Sequence, residues 1–203
     1  MNLTDTGLVQ RNLILAKKTA SIIFFFFNGK SKYLDYGGGY GMFVRLMRDI
    51  GLDFYWSDKF AKNLMARSFE YNEESKYELI TSFETFEHFE DPIMEIENML
   101  NYSDSILFST QVQPKNISKD WWYFGFEHGQ HISIYHKKTL QFIANKYNLN
   151  FYTDGFYLHI LTKKKINPLL FKLASLSNHL PLIDYSIFFK SKTLSDADNL
   201  KLK

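Results

Sequence analysis

The run "FETFEHFEDP" spaces Glu84, Glu87 and His88 three and four residues apart, which would set all three on one face of a helical turn. Carboxylates beside an imidazole can carry protons. The same groups can also cap the helix that follows or bond to nearby loops. A second cluster, "WWYFGFEHGQHISIY", brings His128 and His131 among aromatic rings. Imidazole titrates near working pH, so both are candidates for proton transfer, His131 first. The rings could serve as platforms for sugars or planar ligands, or fold into a satellite core of their own. His159 lies in an expected strand and is read as structural. The chain has no cysteine, which excludes thiolate nucleophiles, thiolate metal sites and disulfides.

These groups need a frame, and the stretch "KYLDYGGGYGMFVRLM" supplies its key. Gly37, Gly39 and Gly41 alternate through a turn between an apolar run and a helical pattern. Without Cβ atoms the backbone can take positive φ, or a ligand can lie against it. Asp35 stands at the end of the first apolar run, and Asp58 closes the second, "DFYWSD", 23 residues later. An acid at that point can accept both hydroxyls of a ribose. A tight turn alone would account for a glycine triplet. Strand, glycine turn, helix, strand and terminal acid in that order point instead to a nucleoside-containing cofactor.

Strand and helix patterns alternate from residue 31 to about 147. The expected strands are "YLDY", "DFYWSD", "YELITSF" and "SILFST", with helices over "GMFVRLMRDI", "DPIMEIENMLN" and "KKTLQFIANKY". A helix over 7–27 precedes them, and "LNFYTDG" with "YLHILTKKK" reads as a closing antiparallel pair. This is an α/β pattern, a doubly wound, Rossmann-like, mostly parallel sheet with helices on both faces. Residues 1–165 form the expected domain, and 166–203 a C-terminal helical extension ending in a frayed polar tail. Its apolar face is a candidate homodimer contact or a membrane-surface contact.

Twenty-four basic residues against 22 acidic leave a net charge of +2. That balance argues against a DNA-binding protein and weakens any RNA reading. The "SIIFFFF" run is far short of the roughly 20 residues of a transmembrane helix, so a buried helix is expected. Lack of cysteine suits the cytoplasm.

The turn "DYGGGYG" resembles motif I of the class I S-adenosylmethionine-dependent methyltransferases, and "YELITSFETFEHFEDP" resembles their fourth-strand motif. "SILFST" and "HISIYHKKTLQFIANKYNLNFY" are similar to their later segments, so the likeness covers about residues 30 to 163. The resemblance implies that Asp35, Gly37, Gly39 and Gly41 hold the methionine portion of S-adenosyl-L-methionine and Asp58 its ribose. It places backbone near Phe83 under the sulfonium. Only 18 residues separate Asp58 from Tyr77, where the family fits a helix and a further strand. "ARSFEY" would be a vestige of that strand, with Ser68 or Phe69 flanking adenine.

The resemblance also bears on the acceptor. "E-x-x-E-H" is similar to the ligand set of metal-dependent O-methyltransferases acting on quinone precursors and on RNA termini. It implies Mg²⁺, Mn²⁺ or Zn²⁺ at Glu84, Glu87 and His88, with His128 or His131 completing the site. The aromatic loop resembles that of nucleotide-sugar C-methyltransferases, but Gln130 stands where they carry glutamate, which favours an oxygen acceptor. The expected activity is O-methylation of a sugar, glycan or other hydroxylated small molecule, with His131, His128 or Glu87 handling the proton. The alternatives are a non-catalytic binding protein of this fold and an RNA-terminal 2'-O-methyltransferase.

Overall fold

Each apolar run bounded by glycine, proline or Asn/Asp punctuation becomes one element. The computed structural model describes residues 6–127, 129, 131–176 and 187–201. In chain order these are α1 (Leu8–Phe26), β1 (Lys32–Tyr36), α2 (Met42–Ile50), β2 (Asp53–Ser57), β3 (Leu79–Ser82) and α3 (Pro92–Leu100). They are followed by β4 (Ser105–Ser109), α4 (Lys137–Lys146), β5 (Asn150–Thr153), β6 (Leu158–Thr162), α5 (Pro168–Ser175) and α6 (Thr193–Lys201). The boundaries follow local chemistry. Asp91 and Asn167 each accept two backbone N–H groups at the starts of α3 and α5, ahead of a first-turn proline. Gly51 ends α2 in the left-handed conformation.

The six strands form one sheet in the order β2-β1-β3-β4-β6-β5. β1, β2, β3 and β4 are parallel, and β6 runs against both β4 and β5. Strand alternation splits the interior into two cores. Tyr33, Phe54 and Leu79 face the core that includes residues of α1, α2 and α5, while Leu34, Ile80 and Ile106 face the one containing residues of α3 and α4. The "SIIFFFF" run lies inside α1, with Ser21, Ile22 and Ile23 buried. Among the described residues no helix is long and apolar enough to cross a membrane.

One expectation holds and another changes. Between Asp58 and Tyr77 there is neither a helix nor a full strand; what remains is a single bridge, Trp56 to Glu70, within the "ARSFEY" vestige. The tail is not frayed through its described length, because α6 is anchored by Asp196. That carboxylate is buried and takes Arg48 Nε at 2.7 Å and Nη2 at 2.8 Å. The Arg48 guanidinium also donates to Asp53 at 2.7 Å and lies 3.6 Å from the centre of the Phe69 ring. One arginine thus ties α2, β2, the vestigial segment and α6 together. An acid in a polar tail gives no local hint that it will be buried. Ile166, Phe171 and Ala174 share the core of α1 and α2, so α5 packs on the same body.

Removing one member of a buried pair leaves the other uncompensated. Asp196→Ala should therefore lower unfolding stability by about 3 kcal/mol in urea titration. A loss no larger than that of the exposed Asp198→Ala would show that α6 is not anchored in this way.

Candidate functional site

The carboxyl ends of β1 to β4 share one edge of the sheet, and the described candidate residues gather there. Gly37, Gly39 and Gly41 have φ of +75°, +54° and +84°, so the turn needs glycine for its conformation. Gly38 has no positive φ, yet a Cβ there would sit 2.8 Å from both Asp35 Oδ2 and Trp56 Cδ1. A Cβ on Gly37 would meet Thr85 Cγ2 at 2.5 Å. Gly39 alone of the four has nothing within 4 Å of its missing Cβ. The turn is therefore packed on three sides and open at Gly39.

Gly39 is held at both ends. Its N–H donates to Asp58 Oδ2 at 2.9 Å, and its carbonyl accepts from Trp56 Nε1 at 2.9 Å. Asp58 Oδ1 accepts from the amides of Phe60 and Ala61, each at 2.7 Å. Asp58 thus stands opposite the turn as expected, and its Oδ2 keeps acceptor capacity toward a hydroxyl. Trp56 escaped the sequence reading; an indole two residues before the acid was its signal. Phe83 packs edge-on against Phe43 at 5.0 Å, in the cluster that also holds Trp56. The Phe69 ring is buried with one face against Arg48, whereas Ser68 is exposed with φ +70°.

Asp35 is buried and accepts from Thr81 Oγ1 at 2.7 Å. Burial pushes its carboxyl up to about 7, against the Thr81 hydrogen bond and with the charge of Asp58 adding to the rise.

After β3 the three expected metal ligands separate. Glu84 takes φ +54° and stands outside the helical turn at Phe86–His88, so helical spacing does not apply to it. Its Oε1 accepts from the Tyr157 hydroxyl at 2.5 Å and Ser109 Oγ at 3.0 Å, and Arg11 Nε lies 3.6 Å from Oε2. Glu84 lies apart from the group, whereas His131, one of the two histidines expected to complete it, lies within it. Ligand atoms of Glu87, His88 and His131 all lie within 4.8 Å of one another. The carbonyl of Glu87 accepts from Ile132 N at 2.9 Å and Ser133 N at 3.0 Å, which draws the distant loop to this point.

Glu87 is 1% exposed, and neither carboxylate oxygen has a hydrogen-bond partner. Burial first, then the charge of Glu84, pushes its carboxyl up to about 8. His131 Nδ1 lies 2.5 Å from the Tyr123 carbonyl. A carbonyl only accepts, so Nδ1 carries the proton and Nε2 is the basic nitrogen. The buried Tyr123 hydroxyl bonds to Thr110 Oγ1 and Gln111 N, holding the aromatic loop on the end of β4. His128 lies outside the described residues. His159 is buried in β6 between Thr110 and Thr153, a structural role, and burial lowers its pKa.

A family model described as a methyltransferase domain matches residues 10–153. No curated protein matches. Among solved structures, CalO1, a methyltransferase in calicheamicin biosynthesis in its SAH-bound form, aligns at 14% identity and a TM-score of 0.58 over 79% of this chain and 55% of its own. An O-methyltransferase family protein from Burkholderia thailandensis aligns at 12% identity and a TM-score of 0.58, over 79% and 58%. The plantazolicin methyltransferase BpumL, in complex with a monoazolic desmethylPZN analog and SAH, aligns at 13% identity and a TM-score of 0.54, over 87% and 80%. The chain spans just over half the length of the first two. With the glycine turn and its facing acid in place, the chain belongs to the class I S-adenosylmethionine-dependent methyltransferase family.

The two raised carboxyls set the sign of a pH effect. Between about pH 4 and pH 7 for Asp35, and up to about 8 for Glu87, the folded protein holds protons that the unfolded chain has released. Stability must therefore fall as pH rises through that window. Chemical denaturation at pH 5 and pH 8 should show this loss. Asp35→Asn and Glu87→Gln, which cannot ionise, should each remove roughly 3 kcal/mol of it. A pH-independent difference between wild type and both variants would show that neither carboxyl is protonated in the fold.

Proposed function

We propose that this protein transfers a methyl group from S-adenosyl-L-methionine to a hydroxyl oxygen, with a sugar or similar polyhydroxylated small molecule as acceptor. The observation that carries this reading is the convergence of His131, oriented with Nε2 as its base, on the unpartnered buried carboxyl of Glu87, two residues after the Thr85 that packs on the glycine turn. Gly39 fits the cofactor because it is the open position of the turn, with Asp58 Oδ2 next to it as a hydroxyl acceptor. When bound, the cofactor supplies an electrophilic methyl on a sulfonium. The chain's share is alignment of the acceptor and removal of its proton.

His131 Nε2 takes that proton, while the Tyr123 carbonyl holds Nδ1–H and stabilises the imidazolium that forms. Glu87 lies in the same cluster and gains from ionising once a positive charge appears there. Trp121 and Phe124, half-buried beside Tyr123, offer faces for a sugar ring. A divalent cation also suits Glu87, His88 and His131: one buried carboxylate without partners and two imidazoles, with ligand atoms within 4.8 Å of one another. It would polarise a hydroxyl and hold its neighbour in a vicinal diol.

Two measurements test the reading. His131→Ala should cut turnover on a panel of hydroxylated acceptors by about 10²- to 10⁴-fold while leaving S-adenosylhomocysteine affinity by calorimetry within a factor of about three. Asp58→Ala should weaken that affinity at least about tenfold. Binding without turnover on any acceptor would favour a non-catalytic role, and no binding at all would remove the proposal. For the cation, elemental analysis of the purified protein should show about one equivalent that is lost in Glu87→Gln; equal metal content in both would exclude the site.

A further inference from the structure

Two loops flank the site and carry side chains that the methyl-transfer reading does not use. One follows β2. Its second half, residues 70–78, carries four glutamates against Lys76. Its first half, 59–69, lies between two acids already bonded, Asp58 to the amides of Gly39, Phe60 and Ala61 and Glu70 to Asn63 Nδ2. That half has three exposed basic residues, Lys59, Lys62 and Arg67. Among the described residues none of the three forms an ion pair. Interleaved with them are Phe60, 90% exposed, and the half-exposed Leu64 and Met65. This loop is ordered. Asp58 holds the amides of Phe60 and Ala61, and the Tyr40 carbonyl accepts from Leu64 N and Met65 N at 3.1 and 3.0 Å. Its apolar side chains are therefore presented outward by a fixed backbone.

The other loop follows β4. It exposes Trp122 to 70% and Phe126 to 76% on a backbone pinned by Tyr123, with Lys115 and Lys119 balanced by Asp120 and Glu127. Phe156, 63% exposed at the tip of the β5–β6 turn, stands on the same edge, since its carbonyl accepts from Val112 N. β2 and β4 lie three strand spacings apart in the sheet, about 14 Å, with the ends of β1 and β3 between them. Exposed apolar groups of this size on both sides of one mouth are a partner surface. Basic residues set among Phe, Trp, Leu and Met match the chemistry of an anionic bilayer interface, where charge meets headgroups and rings enter the acyl boundary.

We infer that this edge of the sheet docks on an anionic lipid surface, the loop after β2 supplying the charge and the loop after β4 the rings, so that the site opens toward the membrane. Single-stranded RNA also takes basic and aromatic groups, but Leu64 and Met65 have no face on which a base can stack. The inference concerns where the acceptor is met and does not rest on the reading of the chemistry, because docking is measured without cofactor or turnover.

The full chain should be sedimented with vesicles of pure phosphatidylcholine and of phosphatidylcholine with 30 mol% phosphatidylglycerol, roughly the range of anionic surfaces that polybasic segments sense. Binding at least about tenfold tighter to the anionic vesicles is expected, weakened several-fold in 0.5 M salt. The exposed double substitutions Lys62→Glu with Arg67→Glu, and Phe60→Ser with Trp122→Ser, should each reduce it about tenfold or more, with unchanged circular dichroism as the check on folding. Equal or absent binding to both vesicle types would overturn the inference. So would full retention in both double variants, or salt-sensitive capture of a short single-stranded RNA in place of vesicles.

Discussion

The structure depends on one close approach: backbone from Gly37 to Gly41 passes against side chains that a Cβ at Gly37, Gly38 or Gly41 would displace. Thr85 reaches it from the end of β3, Asn63 from the loop after β2, and Trp56 from β2 itself. These contacts make the turn a junction of three strand ends. Asp58 and Trp56 then fix the peptide groups on either side of Gly39, so the single open position is also the most firmly oriented one. An anchored turn with one bare face is a preorganised binding surface, since little ordering remains to oppose a ligand.

The same junction explains why two acids are poised near neutrality. Asp35 lies under the turn with one hydroxyl as its hydrogen-bond donor, and Glu87 lies under the aromatic loop with none. Desolvation holds both in the neutral form, at a cost in stability that grows as the pH rises from the ordinary carboxylate range to their shifted values. A cation brought to this edge would reverse that preference, because the attraction acts in a water-poor region where it is strong. Such an arrangement destabilises the empty fold in favour of the occupied one, as binding sites often do.

Arg48 performs the structural counterpart at the opposite end of α2. Its bidentate pair with Asp196, its bond to Asp53 and its stacking on Phe69 join the elements that surround the shortened segment after Asp58. Where a further strand is missing, a C-terminal helix and a buried guanidinium with four hydrogen bonds brace β2. A charge can be buried there because its donors are matched by carboxylates and a carbonyl.

Much of this was readable in the residues. Alternating apolar runs, glycine punctuation and Asp-Pro starts are local signals, so element types, the mostly parallel sheet and the turn facing Asp58 follow from neighbours in the chain. The carboxylate–histidine group was half legible. Glu87 and His88 were marked, but helical spacing included Glu84, and the positive φ at that residue turns it toward Tyr157 and Ser109 instead. The resemblance offered His131 only as one of two candidates to join Glu87; what brings it there is hydrogen bonds between a carbonyl after β3 and amides after β4, groups that every residue has and no pattern reveals. The burial of Asp196 and the contact of Phe69 with Arg48 were equally hidden, since both depend on where one arginine points. Sequence determined which chemistry the chain can do and the order of its elements, because propensity and periodicity act over a few residues. Tertiary structure decided which acids are buried, which ring is committed and which histidine meets the carboxyl, because desolvation and long-range hydrogen bonds exist only once distant segments meet.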